Sequence, residues 1–188
     1  MANAVVALGG TVGLGLTIPL LTSLAPSAEA ASTRWTRLTP DEAAAFQRST
    51  DKPLKIYLKV HDVNGYFGAS DQTQFVWGVR ATDDQLKRAR PELFAGVGAV
   101  PYPAITMGFV VFSPICPHMG CKYEWKNEKN RFECPCHGST YDRLGKHDSG
   151  PALRGLDPLP LRRYAGAVEV TWIEYRGNTP ALEVQKIG

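Results

Sequence analysis

All four cysteines of the chain, and two of its four histidines, fall between Cys116 and His137, in CPHMGCKYEWKNEKNRFECPCH. One group reads Cys116-x-His118, the other Cys134-x-x-His137, with Cys121 and Cys136 interleaved. Thiols and imidazoles grouped in this way have three chemical uses. Two disulfides would suit an exported protein, but they leave the histidine offsets without a reason. A zinc site would take four of the six residues and leave two cysteines spare. A [2Fe–2S] cluster, with two cysteines on one iron and two histidines on the other, also takes four. It leaves one cysteine in each group to tie the groups together, and so accounts for all six.

The residues between the groups say how they could meet. KYEW and RFE flank the polar NEKN, which reads as strand, turn, strand. A hairpin there makes each group a loop at one end of a domain.

The rest of the chain must position that hairpin. It has 188 residues, 44% hydrophobic and 21% charged, enough for one globular domain and a short appendage. The net charge of +3 is scattered, with no basic tract, which argues against a nucleic-acid partner. The first charged side chain is Glu29, and the run from Ala4 to Ala28 is apolar. As a helix it would extend roughly 37 Å, against about 30 Å for the hydrocarbon core of a bilayer. It therefore reads as a single-pass membrane anchor. Its rival is a cleaved export signal, since Ala28-Glu29-Ala30 has the A-x-A form, although no Lys or Arg precedes the run. Ala25 to Thr33, APSAEAAST, has the composition of a flexible linker. The domain plan is an anchor over 1–28, a linker over 29–36 and a head over 37–188, with a metal-binding subdomain over about 113–155.

Within the head, Thr39-Pro40-Asp41-Glu42 predicts a capped helix over 40–48, and Thr82 to Gln85 repeats the pattern for a second helix stopped by Pro91. Strands are expected over Leu54–Val60, Gln74–Arg80, Ala104–Ser113, Leu159–Tyr164, Ala167–Tyr175 and Leu182–Lys186, with turns at Asn64-Gly65 and Gly166. The fold class is mainly β with two short helices. The four tryptophans read as core or sheet-face packing. His61 and His147 lack ligand spacing and read as solvated loop residues.

C-P-H-M-G-C and C-P-C-H-G-S resemble the two cluster-binding boxes of the Rieske iron–sulfur proteins, and more narrowly those of the cytochrome bc1/b6f-type quinol–cytochrome c oxidoreductases. The close resemblance covers about residues 113–160, whereas His61 to Val100 reads as an insertion of this branch. The resemblance implies an antiparallel β-sandwich head with a small cluster-binding subdomain and one [2Fe–2S] cluster per chain. It makes Cys116 and Cys134 ligands of one iron, and His118 and His137 ligands of the other. It pairs Cys121 with Cys136 as a disulfide. Gly150-Pro151-Ala152 is similar to the family's proline loop, which covers the cluster, and Met119 stands where many relatives have Leu. Ser139 and Tyr141 fall where high-potential members place hydroxyls that donate to the cluster or a ligand sulfur.

In function, the resemblance implies an electron-transfer subunit, not catalytic alone. It would take an electron, with proton release, from quinol at a cytochrome b-type subunit, with His118 or His137 meeting the quinol. It would pass the electron to a c-type cytochrome, in a respiratory chain. Its place would be the inner cell membrane, held by the N-terminal helix, with the head on the extracytoplasmic (periplasmic) side. The alternative is a membrane-tethered Rieske carrier of another oxidoreductase, such as an arsenite-oxidase-like small subunit.

Overall fold

The computed structural model describes residues 35–49, 52–64, 68–94 and 105–187, the side chains of 61–70 excepted. The chain divides into two compact units, 33–62 with 70–188 and 1–32 with 63–69, and the first holds the site. The expected anchor, most of the linker and the Gly65 end of the expected turn lie outside the described residues. Among the described residues no helix is long and apolar enough to cross a membrane.

The head is mainly β and antiparallel. Strands β1 (Trp35–Arg37), β10 (Leu161–Tyr164) and β11 (Ala167–Thr171) form a three-stranded sheet in the order β1-β11-β10. Strands β2 (Leu54–Asn64), β3 (Gly68–Arg80), β4 (Phe109–Phe112) and β9 (Pro158–Leu159) form a second sheet in that order. Strands β12 (Ile173–Tyr175) and β13 (Val184–Ile187) pair by themselves. β1 takes Trp35 and Thr36 out of the expected linker, because their backbone pairs with Thr171 and Val170. Pro160, which has no N–H to give a ladder, divides the expected strand 159–164 into β9 and β10.

The expected strand 104–113 shortens to β4, FVVF, fully buried on both faces. Alternation along it sends Phe109 and Val111 into one core and Val110 and Phe112 into another. The first core joins the three-stranded sheet to the β2-β3-β4-β9 sheet through Leu58, Val76, Leu159, Leu161, Val168 and Val170, so these two sheets face one another. Helix α1 (Pro40–Arg48) caps this core. Its capping box is formed as expected: Thr39 Oγ1 accepts from Glu42 N at 3.2 Å, and Thr39 N donates to Glu42 Oε2 at 2.8 Å. Phe46 of α1 lies over Gly78, where an added Cβ would stand 2.0 Å from the ring, so the strand needs glycine there. Helix α2 (Asp83–Ala89) has the same box between Thr82 and Gln85, and Pro91 turns the chain into a 3-10 turn, Pro91–Phe94.

The remaining sheet is a four-stranded meander of β5 (Glu124–Lys126), β6 (Arg131–Glu133), β7 (Thr140–Tyr141) and β8 (His147–Ser149). β5 and β6 are the expected hairpin around NEKN, with Asn130 at positive φ in the turn. In an antiparallel meander the start of β5, the end of β6, the start of β7 and the end of β8 lie at one end. Three loops therefore meet there: Ile115–Tyr123 before β5, Cys134–Ser139 between β6 and β7, and Gly150–Asp157 after β8. Beneath them, Phe132 packs against Tyr123, Trp125 and Trp77, with ring centroids 5.3, 4.9 and 5.5 Å away.

Candidate metal centre

The first two loops share one backbone plan. Cys116 N donates to Cys121 O at 2.8 Å, and Cys116 O accepts from Gly120 N at 3.0 Å. Cys134 N donates to Ser139 O at 2.9 Å, and Cys134 O accepts from Gly138 N at 3.1 Å. Each loop turns on a glycine of positive φ, +80° at Gly120 and +77° at Gly138, a conformation that side chains rarely adopt. Two matching turns set the thiols of Cys116 and Cys134 inward and buried. The same turns bring the rings of His118 and His137 together, centroids 4.7 Å apart and perpendicular. His118 is half-buried, whereas His137 is exposed.

Cys121 and Cys136 form a disulfide between the two loops, Cα atoms 6.5 Å apart. The sulfurs of Cys121, Cys134 and Cys136 lie within 4.8 Å of one another. Two of these three are bonded to each other and have no thiolate to offer a metal. The disulfide thus borders the site and leaves Cys116 and Cys134 as its only free thiols.

The third loop covers the second. At Gly150, φ +95°, an added Cβ would lie 2.4 Å from Ser139 Cα and 2.9 Å from Gly138 O, so only glycine allows this approach. Ala152 N donates to Ser139 Oγ at 3.1 Å. Ser139 is fully buried and, with its oxygen accepting, keeps its own proton to donate. The Tyr141 hydroxyl stands 3.2 Å from Cys116 Sγ, both residues buried. Pro151, Met119 and Leu153 are exposed around the same end, the last two at 66% and 55%.

Burial pushes the Cys116 thiol up, opposed by the Tyr141 hydroxyl and the His118 backbone N–H, both of which favour its thiolate. Burial also pushes the Tyr141 phenol well above its usual range, so it stays protonated and can donate. The donors suit a thiolate while the dry surroundings penalise a bare one, and a bound cation resolves that conflict. His118 Nδ1 is enclosed and meets no hydrogen-bond partner among the described residues, as a nitrogen reserved for a metal would be. The donor set of two thiols and two imidazoles thus fits a [2Fe–2S] group of mixed ligation.

Some supporting residues carry no local signal in the sequence. Arg154 is buried, grips Asp157 through two contacts of 2.7 and 2.8 Å, and donates to Thr179 O at 2.6 Å. It ties the third loop to the 176–183 connection. That connection backs the first loop: Asn178 N donates to Pro117 O at 2.8 Å, and a Cβ on Gly177 would meet His118 O at 3.0 Å. Arg90, also buried, donates to Gly145 O at 2.8 Å and Leu156 O at 3.0 Å, and its partner Glu92 lies beside it. His147 departs from expectation. It is in β8, not a solvated loop, and pairing opposite Tyr141 turns its ring onto the tyrosine. His61 falls in β2, and its side chain lies outside the described residues.

The family model for the Rieske [2Fe-2S] domain matches residues 77–164. The match begins at Trp77, so part of the segment read as an insertion belongs to the domain itself. Over 42 residues, 22% of this chain, the sequence is 50% identical to cytochrome b6-f complex iron-sulfur subunit 1 of Nostoc sp. (strain PCC 7120), covering 24% of that protein. Over 57 residues, 30% of this chain, it is 40% identical to the cytochrome b6-f complex iron-sulfur subunit of Chlorobaculum thiosulfatiphilum, covering 29% of that protein. The matches thus span about a quarter of the length of these relatives. Among solved structures, one titled hyperthermophilic respiratory Complex III overlaps 89% of this chain and 98% of its own, at 21% identity and TM-score 0.41. The soluble domain of Rieske protein II from Sulfolobus acidocaldarius overlaps 81% of this chain and 86% of its own, at 16% identity and TM-score 0.46. The chain carries a Rieske [2Fe–2S] domain, and a [2Fe–2S] cluster is its cofactor.

Proposed function

We propose that Cys116 and Cys134 hold one iron, that His118 and His137 hold the other, and that the protein takes electrons from quinol. The observation that carries this reading is the perpendicular imidazole pair, one ring exposed, beside two buried thiols. When bound, the cluster supplies one-electron redox chemistry, and imidazole ligation lifts its potential to between about −150 and +300 mV. Quinol is oxidised in that range.

The protein's own residues divide the remaining work. His137 presents a ring edge to solvent, where a quinol hydroxyl can donate to it and leave its proton on the ring. His118, half-buried, is the second candidate for the same contact. Met119, Pro151 and Leu153, exposed on loops at the same end, would give a docked partner apolar surface and exclude water there. The Tyr141 hydroxyl favours the more negative, reduced state by donating to the Cys116 sulfur, and the Ser139 hydroxyl, hydrogen-bonded to Tyr141, acts in the same sense. The quinol would sit in a cytochrome b-type subunit, and a c-type cytochrome would receive the electron. The relatives from Nostoc and Chlorobaculum, subunits of cytochrome b6-f complexes, support this assignment over an arsenite-oxidase-like carrier. The disulfide supports an extracytoplasmic head, since such bonds persist outside reducing compartments. The apolar run from Ala4 to Ala28 supports a single membrane anchor.

A redox titration of the purified protein, read by electron paramagnetic resonance at several pH values, tests the reading. A reduced [2Fe–2S] signal with a positive midpoint that falls as pH rises is expected, because reduction favours the protonated rings. A midpoint independent of pH through the neutral and alkaline range would overturn the quinol mechanism.

A further inference from the structure

We propose that His147 is a positioning residue: its ring holds the Tyr141 hydroxyl on the Cys116 sulfur and thereby helps to set the potential of the centre. The inference rests on Tyr141 acting as a hydrogen-bond donor that tunes the cluster. Tyr141 and His147 are directly opposite in the β7–β8 pair, at the point where the register shifts between Thr140 and Tyr141. Their rings lie 5.6 Å apart at 61°, within the range of edge-to-face packing. Tyr123 is the other aromatic neighbour of Tyr141, at 6.0 Å. A hydroxyl at the far end of a phenol moves when the ring tilts, so the 3.2 Å contact with Cys116 Sγ depends on what packs against the ring.

What this position uses is the flat ring of His147 and not its nitrogen. His147 Nε2 is enclosed and meets no hydrogen-bond partner among the described residues. Leaving a buried polar atom unpaired is unfavourable, and an apolar side chain of similar shape would avoid it. Strand β8 is otherwise polar and open, with Asp148 and Ser149 exposed, while the His147 ring lies against that of Tyr141. A flat, narrow ring can lie edge-on to the phenol, where an aliphatic side chain would leave the tyrosine room to tilt.

The test is a double-mutant cycle in midpoint potential on the full chain with its cluster, with thermal melting of each variant as the control for folding. The four proteins are wild type, His147→Ala, Tyr141→Phe and the double variant. His147→Ala should lower the midpoint in the same direction as Tyr141→Phe. The double variant should fall no further than Tyr141→Phe alone, since without the hydroxyl there is nothing left to position. His147→Phe, which keeps a flat ring and removes the nitrogen, should restore the wild-type midpoint. If His147→Ala does not assemble, His147→Val, better suited to a strand, takes its place in the cycle. An unchanged midpoint in folded His147→Ala, or shifts that add in the double variant, would overturn the proposal. If Tyr141→Phe itself leaves the midpoint in place, the tuning role of Tyr141 falls first, and that result is distinct from the other two.

Discussion

The Tyr141 hydroxyl meets the Cys116 sulfur at 3.2 Å where both side chains are buried, and Ser139 is buried beside them with its side chain hydrogen-bonded to Tyr141. A hydrogen bond of this kind contributes about 1 kcal/mol net, which for one electron corresponds to about 40 mV. Tyr141→Phe and Ser139→Ala should each lower the midpoint by roughly that amount, measured by redox titration. An unmoved midpoint in both would show that neither hydroxyl acts on the cluster. Gly150 is a second residue with a specific demand, since its φ of +95° and its approach to Ser139 leave no room for a methyl group. Gly150→Ala should push the third loop off the second and shorten the lifetime of the cluster absorbance on heating, with Pro151→Ala much milder.

At the scale of elements, three loops must stay together. The Cys121–Cys136 bridge closes a separation of 15 residues, which the chain-entropy view values at about 3 kcal/mol. Reduction of this bond, verified by thiol counting, should loosen the first two loops and make the cluster labile to chelators. Full retention after verified reduction would show that the strands alone suffice. The third loop depends on the buried Arg154–Asp157 pair instead. Arg154→Leu strands the Asp157 carboxylate and removes the tie to Thr179, and a loss of about 3–5 kcal/mol is expected in denaturant unfolding. Replacing both residues with apolar ones should recover much of it, because the unpaired charge would be gone.

For the whole molecule, the aromatic core sets an alkaline limit. Burial raises the phenols of Tyr123, Tyr141 and Tyr175 well above their usual value. In the unfolded chain they ionise near pH 10, whereas in the folded protein they do not. Above that pH the folded state holds more protons than the unfolded one, so stability falls as pH rises. It is complete below about pH 10 and declines above it by up to about 1.4 kcal/mol per pH unit for each tyrosine. Thermal melts from pH 8 to 11 should show this, and Tyr175→Phe should lessen the slope.

How much of the fold and the site was readable from the chain differs by range. The capping boxes of α1 and α2, the β5–β6 hairpin and the apolar β4 depend on residues within a few positions of one another. Such signals survive in a linear reading because the interactions that create them are short-range. The cysteine and histidine boxes belong to the same kind: a turn closed by a glycine four residues on aims its own side chains. The sequence could not say that β1 would claim Trp35, that Phe46 would need Gly78, or that Arg154 would reach Thr179. Nor could it say that His147, read as a solvated loop residue, would face Tyr141. These contacts join segments whose meeting depends on strand order and register, which are decided by how several apolar faces pack at once. The sequence by itself determined which thiols and imidazoles are grouped as candidate ligands and the local shape of their loops. Only the tertiary structure decided which distant residues hold those loops together and which ring lies against the hydroxyl at the sulfur.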